Sequence, residues 1–261
     1  TCLHKGCIPT KALLHSAEIA DSAREGARFG VKSTFDGINM DGVNSYKDGV
    51  VSRLHKGLQG LVKSRNITYV EGHGKLISKD TIEVNGEHYA GKNIVLATGS
   101  YAKTLPGLEI DGLQIITSDH GTKMDYVPKS VIVLGGGVIG CEFASLWKSF
   151  GAQVTIIEGL PHLIALEDES SSKQLERAFR KRGINFELGT FFKSASKTQD
   201  GVTVTLEDGK TFTAEVLMVS VGRGPVSANL GYEEAGITMD RGYVIVDNKC
   251  RTNVPGIWAV G

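Results

Sequence analysis

Apolar positions in the first quarter of the chain recur at helical spacing. Residues 11–28 and residues 46–64 each place apolar side chains along one side of a predicted helix. Pro9 stands just before the first of these helices, where the missing N–H of proline costs little. Short apolar runs bounded by turn residues predict strands at 67–70, 81–84 and 93–97.

From residue 129 onward, the pattern becomes a regular alternation of apolar strands and amphipathic helices. The predicted elements are strands at 130–134, 153–158, 184–187 and 216–221, helices at 140–150 and 170–182, and a hairpin of 202–206 with 211–214. Asp208 and Gly209 form the hairpin turn, a dipeptide typical of tight hairpins. Strands that alternate with helices predict an α/β fold with a parallel sheet covered by helices on both faces.

Composition and charge exclude several classes of function. The 29 Lys and Arg residues balance the 29 Asp and Glu residues, so no basic surface for nucleic acid is indicated. No apolar run reaches the ~18 residues that a membrane-spanning helix requires. The 33 glycines are well above ordinary usage and indicate tight turns or a backbone that approaches a ligand closely.

A glycine-rich segment joins the predicted strand at 130–134 to the helix after it. Gly135, Gly137 and Gly140 fit the pattern Gly-x-Gly-x-x-Gly, in which the glycines permit a tight turn, approach to a pyrophosphate and close helix packing. Glu158 ends the next predicted strand, where a carboxylate binds an adenosine ribose and repels a 2′-phosphate. The segment therefore predicts an NAD site; the alternative is a glycine-bearing turn with a solvated glutamate. The expected contacts are Gly135, Gly136, Gly137, Val138, Ile139, Gly140 and Glu158.

Two cysteines, Cys2 and Cys7, are separated by four residues before the first predicted helix. This spacing permits a disulfide, and the helix start with Lys5 and Lys11 favours the thiolate form of Cys7. A zinc site needs four Cys or His ligands, and no second cysteine pair follows at finger spacing. Spacing alone leaves a redox pair, a structural disulfide and zinc ligands open.

The two remaining cysteines and most of the histidines are not expected to take part in catalysis. Cys141 is expected to be a buried small side chain on the helix after the glycine segment, and Cys250 lies in a loop. The histidines expected at the surface or in turns are His55, His73, His88, His120 and His162.

The segment 1–14, Thr-Cys-Leu-His-Lys-Gly-Cys-Ile-Pro-Thr-Lys-Ala-Leu-Leu, strongly resembles the active-site segment of the pyridine nucleotide–disulfide oxidoreductases. The resemblance covers the whole chain in order, with further motifs at 97–100, 135–142, 221–225 and 251–261. Within this family the chain is most similar to the dihydrolipoamide dehydrogenases. That similarity implies an enzyme that oxidises protein-bound dihydrolipoamide to lipoamide and reduces NAD, with FAD between the two.

The resemblance also implies a role for individual residues. Cys2 matches the interchange thiol that reacts with the lipoyl substrate, and Cys7 matches the thiol next to the flavin. Lys11 matches a position near flavin N5, with Glu142 as its ion-pair partner. Positions that match the lining of FAD are Gly74, Thr98, Gly99 and Ser100, and those that match the lining of NAD are Glu158, Phe192 and Gly222. No metal is expected, and His4 departs from the commoner Asn of this loop.

The resemblance further implies two Rossmann-like dinucleotide-binding domains, the first of them incomplete. The expected domains are a partial FAD-binding domain with the redox disulfide at 1–113, an NAD-binding domain at 127–226 and a return to the FAD or central domain at 227–261. The family's first glycine motif and its C-terminal dimer domain, which carries the His–Glu base, are expected to lie outside the chain. Residues 1–261 alone are therefore not expected to oxidise dihydrolipoamide.

The expected partners are a second copy in a homodimer and the lipoyl domains of 2-oxoacid dehydrogenase complexes, with a cytoplasmic location. Alternatives are an NADP-linked thiol–disulfide reductase or a mercuric reductase of the same family. A non-catalytic NAD-binding fragment and a zinc-binding module are alternatives from other classes.

Overall fold

The computed structural model describes residues 1–261, which divide into two compact units. The first unit combines Thr1–Lys56 with Ala102–Gly222, and the second combines Gly57–Tyr101 with Arg223–Gly261. None of the helices combines the length and the apolar character needed to cross a membrane.

Six α-helices and seventeen strands form along the chain. The helices are α1 (Cys2–Lys5), α2 (Cys7–Glu25), α3 (Met40–Ser64), α4 (Ser118–Gly121), α5 (Val138–Phe150) and α6 (Glu169–Lys181), with a 3₁₀ turn at Gly26–Phe29. The strands are β1 (Gly74–Ser78), β2 (Thr81–Val84), β3 (Glu87–Ala90), β4 (Ile94–Leu96), β5 (Ser100–Ala102), β6 (Ile115–Thr117), β7 (Ser130–Leu134), β8 (Gln153–Glu158), β9 (Asn185–Leu188), β10 (Phe192–Thr198), β11 (Gly201–Leu206), β12 (Thr211–Ala214), β13 (Val216–Val219), β14 (Arg223–Pro225), β15 (Met239–Asp240), β16 (Tyr243–Val244) and β17 (Ile257–Ala259).

A five-stranded parallel sheet organises the first unit, in the order β6-β13-β7-β8-β9. Helices α5 and α6 make the crossovers from β7 to β8 and from β8 to β9. The chain then passes to β13, on the other side of β7, so the strand order reverses between β7 and β13. In open α/β sheets, ligands bind at the carboxyl ends of the strands at such a switch point.

The two faces of this sheet have different covers. Val131 and Val133 pack with α2, α5 and α6 on one face, whereas Ile132 and Leu134 point to the other. The second face is covered by the antiparallel sheet β10-β11-β12, so the expectation of helices on both faces is wrong. The side chains that make this cover alternate along one strand and are fully buried: Val202, Val204 and Leu206. An antiparallel sheet buries one face by this alternation and needs no helix.

The second unit contains three-stranded and two-stranded sheets around its own apolar cluster. Strands β1, β2 and β3 form an antiparallel meander, and β17 pairs in parallel with β4. The predicted strand at 67–70 does not form, because these residues have no partner strand and Ile67 and Tyr69 remain exposed. The apolar side predicted for α3 is likewise exposed at Leu54, Leu58 and Leu61.

Candidate functional site

The glycine segment forms a tight turn between β7 and α5 that only glycine can make. Gly135 has φ +109°, and a Cβ added there would lie 2.5 Å from the carbonyl oxygen of Ser220. A Cβ added to Gly140 would overlap the carbonyl oxygen of Gly135. The first and last glycines therefore fold the loop onto the start of α5.

The middle of the same loop faces open space. Gly137 is the N-cap of α5, no side chain caps this helix end, and a Cβ added at Gly137 would meet no atom within 4 Å. Val138, the first helical residue, is exposed. The unpaired N–H groups and positive dipole end of a helix bind phosphate, so this end of α5 fits a pyrophosphate.

Gly136 connects the loop to Glu158 and to the segment after β8. Its N–H donates to Glu158 Oε2 at 2.6 Å, and its carbonyl accepts the Ile164 N–H at 2.8 Å and the Cys141 Sγ–H at 3.3 Å. The Leu160 N–H donates to Glu158 Oε1 at 2.8 Å. The carboxylate is thus held by two backbone donors directly beside the open end of α5.

Gly222 reaches the same edge of the sheet from β13. Ser220 Oγ donates to the carbonyl oxygens of Leu134 and Gly135 at 3.1 and 3.0 Å, which joins the end of β13 to the glycine loop. Gly222 follows two residues later with φ +108° and is exposed. The carboxyl ends of β7, β8 and β13 therefore bring together Gly137, Glu158 and Gly222.

Phe192 and its neighbour face opposite ways. Phe192 begins β10 and packs against the cluster beneath the antiparallel sheet, partly buried. Phe191 is 57% exposed, and its ring lies against Gly159, the residue after Glu158. The family resemblance indicated Phe192, and not Phe191, among the positions that line NAD. Adjacent residues of a strand face opposite sides, so the sequence did indicate that only one of the two aromatic rings would face the core.

The structure joins Cys2 and Cys7 by a disulfide between the starts of α1 and α2, with the Cα atoms 4.7 Å apart. Cys2 and Cys7 are both exposed. The His4 ring meets the His55 ring edge to face, with 4.7 Å between centroids. Exposure therefore does not distinguish the two sulfurs, but Cys7 begins the long helix α2 and lies at its positive end.

Helices α2 and α5 lie side by side and run in the same direction. Lys11 Nζ donates to Glu142 Oε1 near their starts, and Ser149 Oγ donates to Asp21 Oδ2 at 2.6 Å further along both helices. Because both contacts progress in the same sense, the two N-termini lie at the same end of the helix pair. The disulfide and the glycine loop therefore share that end of the first unit.

Arg182, at the C-terminal end of α6, ties the far end of this helix pair. It donates to Ser145 Oγ at 2.6 Å, to Ser149 Oγ at 2.7 Å and to Asp21 Oδ2 at 3.3 Å. One guanidinium thus joins α2, α5 and α6.

Replacing Arg182 by Met is expected to lower the free energy of unfolding by about 1–2 kcal/mol, because the variant loses charge-assisted hydrogen bonds at a partly exposed site. Urea unfolding followed by circular dichroism measures this difference. The matched control is Arg177→Met, on the exposed side of the same helix, which should change stability by no more than about 0.5 kcal/mol. Equal midpoints for the two variants would show that the guanidinium does not stabilise the helix pair.

The second unit carries the other predicted ligand residues. Thr98, Gly99 and Ser100 line a cavity of about 450 Å³ together with residues 259–261. The Tyr232 hydroxyl donates to Thr98 Oγ1 at 3.2 Å, and Gly99 has φ +80°. Gly74 begins β1 in another sheet of this unit and does not line the cavity.

Comparison with known proteins identifies the family to which a chain with this geometry belongs. The sequence model of the family described as pyridine nucleotide-disulphide oxidoreductase matches residues 1–261. The chain belongs to this family. The expected fold class is therefore confirmed: the chain has an α/β fold of the Rossmann-like, dinucleotide-binding kind.

The chain spans little more than half the length of the members of this family that it matches. Dihydrolipoyl dehydrogenase of Bacillus subtilis is 39% identical over 279 residues, which cover 100% of this chain and 59% of that protein. Leghemoglobin reductase of Vigna unguiculata is 37% identical over the whole chain and 52% of its own length. The crystal structure of LpdA from Mycobacterium tuberculosis superimposes with a TM-score of 0.91 at 26% identity, covering 100% of this chain and 58% of that one.

A second solved member is the flavoprotein disulfide reductase RclA of Escherichia coli. It matches with a TM-score of 0.84 at 28% identity, covering 100% of this chain and 57% of that one. The description of the family and the name of this reductase join a pyridine nucleotide, a flavin and a disulfide in one group of oxidoreductases.

Proposed function

We propose that this chain is the disulfide- and NAD-binding part of a dihydrolipoyl dehydrogenase, which oxidises protein-bound dihydrolipoamide and reduces NAD through FAD. The observation that carries the proposal is the parallel pairing of α2 and α5. It brings the disulfide Cys2–Cys7 and the open glycine loop to one end of a helix pair. A thiol-reactive group and a dinucleotide-binding loop side by side suit electron transfer between a dithiol and a nicotinamide.

The first unit fits NAD at the carboxyl edge of its sheet. The pyrophosphate would lie at the N-terminus of α5, over Gly137, Val138 and Ile139, and Glu158 would accept hydrogen bonds from the adenosine ribose. Residues 127–226 are accordingly proposed as the NAD-binding domain. NAD supplies an acceptor for two electrons, and FAD supplies the carrier between it and the dithiol.

Residues 1–113 and 227–261 are proposed to contribute to the FAD side. The 450 Å³ cavity beside Thr98, Gly99 and Ser100 offers backbone and small side chains, which suits close approach of a dinucleotide. Gly74 and Lys11 are retained as proposed FAD contacts from the family match.

The thiol chemistry follows from the positions of the two exposed sulfurs, because the thiolate at the start of α2 is the better leaving group. A substrate thiolate attacks exposed Cys2, the Cys2–Cys7 bond breaks, and Cys7 leaves as a thiolate. This leaves a mixed disulfide between Cys2 and one sulfur of the substrate. The second substrate thiolate then attacks that substrate sulfur, which releases the Cys2 thiolate and the cyclic substrate disulfide. Two electrons have passed to the chain, and the α2 dipole stabilises the thiolate of Cys7. The ammonium group of Lys11, held by Glu142, adds a positive charge near the start of α2.

The whole protein is proposed to work as a homodimer on the lipoyl domains of 2-oxoacid dehydrogenase complexes, in the cytoplasm. Glu158 favours this enzyme over an NADP-linked reductase, because a carboxylate at the end of β8 repels a 2′-phosphate. Reduction of NAD rather than NADP is therefore the distinguishing property.

Fluorescence titration of this chain with NADH and with NADPH tests the proposal. NADH is expected to bind at least about tenfold more tightly than NADPH, and Glu158→Ala is expected to weaken NADH binding roughly fivefold and to narrow that difference. The matched control is Glu167→Ala, an exposed acid on the segment that follows β8, which should leave both affinities unchanged.

Two results would count against the proposal. Equal or tighter binding of NADPH would make the parent enzyme an NADP-linked reductase. If neither NADH nor NADPH binds to the folded chain, the proposal of a dinucleotide-binding site is wrong.

A further inference from the structure

Phe191 is an exposed aromatic residue held at a fixed place beside the nucleotide edge. Its side chain is 57% exposed, although removing a phenylalanine side chain from water is ordinarily favourable. Single exposed apolar residues are common at protein surfaces, so exposure alone assigns no role. The position and the fixation of this ring set it apart.

The Phe191 ring lies directly on the backbone of Gly159. A Cβ added at Gly159 would lie 2.6 Å from Cε1 and 2.7 Å from Cδ1 of the ring, so only glycine leaves room for it. The Glu207 N–H donates to the Phe191 carbonyl at 2.9 Å, and the Gly189 N–H donates to the Leu160 carbonyl at 3.0 Å. These bonds fix the backbone on both sides of the contact.

The features along this edge follow the order of the groups in an adenine dinucleotide. The open N-terminus of α5 suits the pyrophosphate, Glu158 beside it suits the ribose, and Gly159 with Phe191 comes next along the chain from β8. In an adenosine diphosphate group the sugar carries the phosphates at one end and the base at the other. The group beyond the ribose is therefore the adenine ring.

We propose that Phe191 is the platform on which the adenine ring of the dinucleotide stacks. The inference rests on the proposed NAD site and assigns its base contact to this ring. Stacking between a base and an aromatic side chain is tolerant of small shifts, because each presents a flat π-face. The outer face of Phe191 is exposed to solvent, and a purine stacked there would displace water from both rings.

The test measures the affinity of ADP-ribose, which carries the adenine, the ribose and the pyrophosphate but no nicotinamide. Phe191→Ala and Phe191→Leu are expected to weaken ADP-ribose binding roughly tenfold, the loss typical of one stacked base. Inorganic pyrophosphate, which carries no base, should bind the variants and the unchanged chain equally. Phe29→Ala, which removes another exposed phenylalanine, should change neither affinity.

Phe191→Trp supplies a direct reporter of stacking. This variant should keep ADP-ribose affinity within about twofold and should lose tryptophan emission on binding, beyond any change seen with Trp147 and Trp258 in the unchanged chain. Unchanged emission at saturation would overturn the platform.

The outcomes separate this inference from the function on which it rests. Unweakened ADP-ribose binding by Phe191→Ala and Phe191→Leu, with weakened binding by Glu158→Ala, would overturn the platform and leave the NAD site intact. Unweakened binding by all three variants would overturn both. Phe191→Leu keeps an apolar side chain on Gly159, so its loss of affinity with an unchanged urea midpoint would exclude misfolding as the cause.

Discussion

Replacing Gly140 by alanine is expected to lower the free energy of unfolding by about 3 kcal/mol or more and to abolish nucleotide binding, because the new methyl overlaps the Gly135 carbonyl. That carbonyl belongs to the backbone of a turn with positive φ, which has no low-energy alternative position.

Gly137→Ala is expected to behave differently. Its φ of −71° suits alanine and its Cβ meets no atom, so stability should hold while the methyl blocks the phosphate and weakens NADH binding at least about tenfold.

Urea unfolding and NADH titration of the two variants measure these effects separately. The control is Gly60→Ala in α3, where an added Cβ also meets no atom, and where alanine should stabilise the helix by up to about 1 kcal/mol. If Gly140→Ala unfolds at the midpoint of the unchanged chain, the close approach of α5 to the turn is wrong. If Gly137→Ala binds NADH normally, the pyrophosphate does not lie at this helix end.

Cys250 is expected to react with iodoacetamide more than about a thousand times faster than Cys141 in the folded protein. Burial, together with the smaller effect of the negative charges of Glu158 and Glu142, raises the pKa of the Cys141 thiol to about 12. Near pH 8 only about one Cys141 side chain in ten thousand is then the reactive thiolate. Cys250 lies exposed in a loop, where reagent reaches it freely.

Timed alkylation followed by mass spectrometry resolves the four cysteines. In the oxidised chain only Cys250 should be labelled, and treatment with dihydrolipoamide should add Cys2 and Cys7. Cys141 should react only after unfolding in guanidinium chloride, which serves as the control that its thiol is intact. Native labelling of Cys141 at the rate of Cys250 would contradict its burial, and failure of the dithiol to release Cys2 and Cys7 would contradict the proposed exchange.

Features encoded by neighbouring residues could be predicted from the sequence. Strands β7 and β8 form at 130–134 and 153–158, as the apolar runs predict. The demand for glycine is local at position 140, where an added Cβ would meet the Gly135 carbonyl, and at position 135 through its positive φ; the close approach of Ser220 to Gly135 is a long-range addition. These signals lie within one strand–turn–helix unit, where chain connectivity limits the possible arrangements.

Features that depend on distant contacts were not predicted. The sheet β10-β11-β12 covers one face of the parallel sheet because alternate residues of β11 are buried there, and the hairpin pattern did not specify which surface it would meet. Arg182 joins residues from two other helices, a contact between positions up to 161 residues apart. The contact of Phe191 with Gly159 likewise requires β8 and β10 to be placed first.

The hydrogen bond between Gly136 and Glu158 has a consequence for how the proposed NAD site would choose its nucleotide. The carboxylate already has two backbone donors in the free chain, so the sugar hydroxyls of a bound nucleotide would add less to the affinity than they would at an unpaired carboxylate. Glu158 then contributes less to the total affinity than to the choice between nucleotides. Because the Leu160 N–H keeps the carboxylate from turning away, a 2′-phosphorylated sugar would meet a fixed negative charge. The proposed site would therefore discriminate mainly by repelling NADP, and less by binding NAD more tightly.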